Sequence, residues 1–188
     1  SRTLEGIAVA GMEKCMARLS RISAGKWKVA GVRVSQGSMD EIVRRHTITE
    51  VSGFAVYFRV TGECPFTAMI IFKPEDIGII ARSLPGFSQL PCLNQAQELL
   101  FSELGNIILN SVISALSNKL KRGFLPSAPE CVQGEPRFLL ETLWNTLDDG
   151  QRYSVAAITL DLQCDKDTTH SEVVIIIPES LSRALAAA

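Results

Sequence analysis

Five polar residues recur through one long apolar segment at spacings that bring them to a single helical face: Glu103, Asn106, Asn110, Ser114 and Ser117. At about 100° per residue they fall in one stripe roughly 80° wide. The rest of the circumference is apolar (Leu100, Leu104, Ile108, Val112, Leu116), so the segment reads as a largely buried helix exposing a narrow polar strip. A solvated helix face ordinarily carries Lys and Glu, which form helices better than Asn or Ser. Glu103 and Asn106 stand three residues apart, about one turn, on the same side. An amide takes no proton, which makes Asn106 a poor general base. It both donates and accepts hydrogen bonds, so it can orient a water molecule. A neighbouring carboxylate can pair with a cation on a docked partner. That combination suits a reaction whose reactive group belongs to the partner, with the helix adding only geometry. Phosphoryl transfer is largely of that kind. Gly105, lodged in mid-helix at about 1 kcal/mol against Ala, points to selection for more than helix stability.

The elements that must hold this helix occur twice, in the same order. The first set opens on a helix from Leu4 to about Ser23 and a strand from Lys26 to Ser35. A Gln36-Gly37 turn and a short helix, Met39 to Arg45, come next. Strands Val51 to Thr61 and Phe66 to Phe72 flank a Gly62-Glu63-Cys64-Pro65 turn, and a helix starts at Pro74. The second set begins with the long helix, Asn94 to Lys121, then a strand near Glu130 to Val132 and a Gln133-Gly134 turn. A helix from Pro136 to Leu147 ends at Asp148-Asp149-Gly150. Strands Tyr153 to Gln163 and Glu172 to Ile177 follow, joined by the polar loop CDKDTTH, and Pro178 opens a last helix.

Landmarks recur at nearly constant spacing. The Gln-Gly pairs lie 97 residues apart, and FAVYFRVTG matches SVAAITLDL at an offset of 100. The expected fold is therefore α+β: a pseudo-twofold, duplicated α-β-α-β-β unit. Its antiparallel-rich strands form one sheet or two facing layers, with the two long helices packed together. Residues 1–188 make one domain, with half-repeats at 1–84 and 94–188 and a proline-bearing linker from Leu84 to Leu93. At an offset of 98, Glu5 answers Glu103, but Asn106 becomes Ala8, Asn110 becomes Met12 and Ser114 becomes Met16. One half keeps the site and the other is degenerate. The stripe Ala8, Met12, Met16, Leu19 has two readings: core packing, or an exposed patch for dimerisation or a partner.

The run ELGNIILNSVISALSNKL, Glu103 to Leu120, resembles the signature helix of the CheC/CheX/FliY phosphatases of bacterial chemotaxis. That family's pattern is Asp or Ser, three residues, Glu, two residues, Asn, then 22 residues and Pro. Glu103, Asn106 and Pro129 match it, and length and duplication look most like CheC. The Asp/Ser position is occupied by Leu99, a departure that bears on partner docking. The resemblance implies hydrolysis of the phospho-aspartate of a CheY-type receiver, with Asn106 orienting water and Glu103 pairing with a receiver lysine. Leu99, Asn110 and Ser114 would contact the partner, while Pro129 and Gly105 would be structural. Magnesium would belong to the receiver and this chain would bind no metal or other cofactor. CheD is a further partner the resemblance implies, and a homodimer is a further assembly to test. The rival reading is a non-catalytic module resembling the middle domain of the flagellar switch protein FliM, or a CheD- or CheY-binding scaffold.

Composition narrows the alternatives. Apolar residues make up 46% and charged residues 21%, with a net charge of -1. Nothing in that balance favours nucleic acid or an anionic membrane. Five scattered cysteines without a C-x-x-C pair suit reduced thiols in a cytoplasmic protein. His46 and His170 lack a histidine at metal-ligand spacing, and no phosphate-binding glycine loop or nucleophile elbow occurs.

Overall fold

The computed structural model describes residues 2–22, 27–46, 51–83, 93–148 and 150–188. Helix α1 spans Arg2–Ile22, strand β1 Trp27–Gly37 and helix α2 Met39–Arg44. Strands β2 (Gly53–Gly62) and β3 (Phe66–Phe72) form a hairpin, and a 3₁₀ turn at Pro74–Asp76 leads into α3 (Ile77–Ser83). Helix α4 runs Leu93–Leu120. Strands β4 (Phe124–Pro126) and β5 (Glu130–Gly134) precede α5 (Pro136–Trp144). The hairpin β6 (Tyr153–Cys164) and β7 (Asp167–Pro178) ends in α6 (Glu179–Ala186). Residues 84–92 of the expected linker lie outside the described residues; Leu93 already belongs to α4.

Local chemistry accounts for several boundaries. Ser38 caps α2 through a reciprocal box: Glu41 N donates to Ser38 Oγ, and Ser38 N donates to Glu41 Oε2 at 2.9 Å. Glu135 caps α5, accepting from Phe138 N at 2.8 Å, with Pro136 in the first turn. Lys121, at φ 55, turns the chain left-handed just past α4 and lets it double back to β4.

All pairings are antiparallel, and the order β1-β6-β7-β3-β2-β4 makes one sheet, with β5 also paired to β2. With β4 set aside and β5 taken in its place, exchange of the first and second sets of elements maps the order onto itself: β3 answers β7, β2 answers β6 and β1 answers β5. Strand β1 therefore pairs with β6, and its counterpart β5 pairs with β2, so each reaches across to the other set. Alternation splits every strand between two cores. In β2, Phe54, Val56, Phe58 and Val60 face α1 and α4, whereas Ala55 and Tyr57 face α2 and α5. The sheet thus carries α1 and α4, with α3 and α6, on one side and α2 and α5 on the other, and among the described residues no second facing sheet forms.

Several expectations need correction. Gln36-Gly37 and Gln133-Gly134 are not turns; they are strand ends, paired with Ala156-Val155 and with Phe54-Gly53. The loop CDKDTTH is mostly strand: Cys164 pairs with Asp167, leaving a two-residue turn with Asp165 at φ 53, and Thr169 is buried. Short polar residues there hydrogen-bond along the ladder, so polarity alone mislocated the turn. Helix α5 stops at Trp144, and β4 was not foreseen because three residues carry no period. The stripe on α1 is core and not an exposed patch: Ala8, Met12 and Leu19 are each at most 1% exposed, and half-buried Met16 packs against the same cluster. Helix α4 is long and apolar enough to cross a membrane by composition, yet most of it is buried inside this fold.

Candidate functional site

Helix α4 is seated on the sheet by one aromatic cluster and one glycine. Phe101 stacks on Phe54 with ring centroids 4.7 Å apart, and meets Phe72 at 5.0 Å. One turn on, a Cβ at Gly105 would lie 2.6 Å from Val56 Cβ, so the helix can approach β2 this closely only with glycine. The glycine that looked like a mark of function has a packing reason. Helix α1 crosses α4 just as closely: a Cβ at Gly11 would sit 3.1 Å from Val112 Cα. Ser111 is fully buried near this crossing and donates to Ile107 O at 2.7 Å.

Seated this way, α4 turns the polar stripe outward. Glu103 is exposed; Asn106, Asn110 and Ser114 are half-buried; Leu99, at the head of the stripe, is 56% exposed. Asn110 Nδ2 donates to Asn106 O at 2.9 Å and to Asn106 Oδ1 at 2.6 Å. Two mid-helix asparagines cost roughly 0.7 kcal/mol each against Ala. An i,i+4 amide pair returns only about 0.2–0.5 kcal/mol, so the pair is not explained by helix stability. Lys14 of α1 reaches Ser114 Oγ at 3.5 Å, tying the lower stripe to the other helix. Ser117 leaves the stripe: its hydroxyl donates to Arg122 O at 2.5 Å and secures the end of α4.

Pro129 sits in the break between β4 and β5, which both pair with β2. At that break Ser127 N donates to Arg59 O at 2.9 Å and Ser127 Oγ accepts from Arg59 N at 3.2 Å. A residue without an N–H suits a gap in a ladder. Glu98 lies near Cys131 of β5; burial, with a smaller contribution from that carboxylate, pushes the Cys131 thiol up to about 11. Burial raises the Cys15 thiol to about 12. Cys15, Cys64 and Cys131 are free thiols, and such raised values leave Cys15 and Cys131 poor nucleophiles.

The first half corresponds to this site in a different register from the one its sequence suggests. The buried residues of α1 are Leu4, Ile7, Ala8, Gly11, Met12, Cys15 and Leu19. Moved on by 97, they fall on Phe101, Leu104, Gly105, Ile108, Leu109, Val112 and Leu116, all buried. Moved on by 98, four of them fall on Ser102, Asn106, Asn110 and Ser117, none buried. The structural counterparts of Glu103, Asn106 and Asn110 are therefore Gly6, Val9 and Glu13. Ala8 answers Gly105, another small residue under the helix, and Glu5 answers Ser102. The Glu5–Glu103 correspondence was a coincidence of spacing. In place of a polar stripe, this end of the helix pair holds an open groove of about 620 Å³ that includes Arg2, Gly6, Ala10, Lys14, Ala115 and Lys119.

Sequence reasoning passed over one further cluster, on the α2/α5 face. Arg33 grips Asp161 through two guanidinium contacts at 2.6 and 3.2 Å, and His170 Nδ1 meets the same carboxylate at 2.7 Å. Burial alone would raise Asp161, but Arg33 and His170 outweigh it and hold the carboxyl below its usual range. Beside it His46 Nε2 lies 2.7 Å from Glu172. Buried Asp76 accepts from His170 N at 2.7 Å, and its burial raises the carboxyl above the usual value. Only pairing three strands at once could reveal this group. Among the described residues no cluster of three or more metal-ligating side chains occurs.

Known structures give the arrangement a name. Thermotoga maritima FliY matches 96% of this chain and 90% of its own, with 16% identity and a TM-score of 0.66. The fold is that of the CheC/CheX/FliY group. The FliM middle domain of Vibrio alginolyticus matches 98% of both chains at 14% identity and a TM-score of 0.63. A CheX from Borrelia burgdorferi, solved in complex with CheY, BeF3 and magnesium, matches 91% of this chain and 97% of its own at 16% identity and 0.52. At these identities the likeness is one of fold. No protein-family model and no curated protein matches the sequence.

Proposed function

We propose that this chain is a phosphatase for the phospho-aspartate of a CheY-type receiver domain. The observation that carries the reading is the Glu103/Asn106 pair, presented outward on a helix that Phe101 and Gly105 seat closely on the sheet. Asn106 supplies no proton transfer; its amide orients a water oxygen toward the phosphorus of the acyl phosphate. The new P–O bond forms as the bond to the aspartyl oxygen breaks, releasing inorganic phosphate and restoring the carboxylate. Magnesium, held by the receiver, would offset charge on the phosphoryl oxygens. Glu103, exposed three residues before Asn106, pairs with a cation on the receiver and sets the register of docking. Pro129 and Gly105 act structurally, at the strand break and under the helix. The reading implies a cytoplasmic protein acting in chemotaxis-type signalling.

A non-catalytic module of the FliM kind is the second reading, favoured by exposed Leu99 at the head of the stripe. Phosphate release from a phosphorylated CheY-type receiver with magnesium separates the two. Wild type should speed the loss of phosphate, and Asn106→Ala should abolish the acceleration while leaving the fold intact. If wild type leaves the decay of every receiver tried unchanged while binding one of them, the module reading stands.

A further inference from the structure

We infer that Asn110 is a positioning residue for Asn106, acting as a two-pronged clamp that sets which way the Asn106 amide faces. The inference rests on the phosphatase reading and adds a residue role to it. The two hydrogens of one NH2 group reach two acceptors on the same residue: Asn106 O at 2.9 Å and Asn106 Oδ1 at 2.6 Å. The first contact is the ordinary backbone bond that a polar side chain makes one turn back in a helix. The second is not required by the helix. It pins the rotamer of Asn106 and assigns the two ends of its amide. Oδ1 faces Asn110 with one lone pair in use and one open, and the NH2 group points away from Asn110. A water held by the open lone pair would donate one hydrogen there and keep its own lone pairs for the phosphorus.

Serine and aspartate do not do this at i+4. A serine has one hydrogen for two acceptors, and an aspartate has none. The first half is consistent with the pairing. In the burial register, Val9 stands for Asn106 and Glu13 for Asn110, so the amide and its donor are missing together.

The test uses three variants of the full chain. Asn110→Ala removes the clamp, Asn110→Ser keeps a single donor for the backbone carbonyl, and Asn110→Asp keeps the shape but reverses the polarity, turning the Asn106 amide over. The side-chain amide of Asn106 is first observed by ¹⁵N NMR without any partner. Its resonances should be ordered in wild type and lose order in the Ala variant. In single-turnover assays on a CheY-type receiver phosphorylated with acetyl phosphate, the rate at saturation should fall roughly 3–10-fold for Ala and for Ser, the range expected when one side chain must be immobilised anew. It should fall further for Asp; a rise in half-saturation with the saturating rate intact would make Asn110 a partner contact instead and overturn the inference. Undiminished order of Asn106 in the Ala variant, or full activity in the Ser variant, overturns the inference while leaving the phosphatase reading intact. A wild type inactive on every receiver removes the phosphatase reading and the positioning role with it, whatever the spectra show.

Discussion

The two long helices occupy equivalent places on one sheet, cross at Gly11 and Val112, and present opposite chemistry to solvent. On α4 the outward turn carries a carboxylate, an amide and the amide that clamps it. On α1 the same positions hold Gly6, Val9 and Glu13, beside a groove edged by Arg2, Lys14 and Lys119. Each buried site of α1, by contrast, has a buried counterpart on α4, although α4 also buries Leu100, Ser111, Ile113 and Ala115 where α1 has half-buried or exposed residues. Seven buried sites agree because each must fill the space above the same sheet, where a misplaced atom is costly. The outward sites have no such constraint, so one helix can carry a constellation that the other lacks.

The sharpest way to break this comparison is to move the amide into the first half at each candidate register. Ala8→Asn puts an unpaired amide at a fully buried site and should cost about 2–4 kcal/mol, read by urea denaturation. Val9→Asn changes a side chain that is 45% exposed and should cost under about 1 kcal/mol. Equal costs would mean that the register of 97 is wrong.

A second pair of variants contrasts the glycines. Gly105→Ala drives a methyl against Val56 and should destabilise by about 1–3 kcal/mol. Gly6→Ala meets nothing within 4 Å and should stabilise by about 0.5–1 kcal/mol through helix propensity. A neutral Gly105→Ala, measured by thermal and chemical unfolding, would revive a functional reason for that glycine.

The smallest effect concerns the opposite face, which neither long helix touches. Asp161 has a depressed folded-state value, so its contribution to stability is present above the ordinary carboxylate range, near 4, and is lost as pH falls through the folded value. Asp76, raised by burial, runs the other way: its contribution grows as pH falls and is lost as pH rises through the folded value. Asp161→Asn should flatten the acid limb of a stability–pH curve below about pH 4, and Asp76→Asn should flatten the limb above it. Unchanged curves for both would leave the cluster without an electrostatic role.

Much of this architecture was legible in the chain. Alternation in β2 and β6, prolines at helix starts and the capping box at Ser38 and Glu41 are local signals, and local signals place elements to within a few residues. The outward stripe followed from helical period alone, because period decides which residues share a face. Asn110 was in view as well, since i,i+4 amides meet on any helix, yet its grip on Oδ1 depends on rotamers that spacing does not specify.

What the sequence determined by itself was most of the elements, their order, and a carboxylate and an amide on one face of α4. Only the tertiary structure decided that the halves exchange strands, so that β1 pairs with β6 and β5 with β2. It alone decided that Gly105 serves packing and that Val9, rather than Ala8, stands where Asn106 stands. The physical reason is range. Period and capping act within one or two turns of chain, whereas strand pairing and burial are set by residues about a hundred positions away.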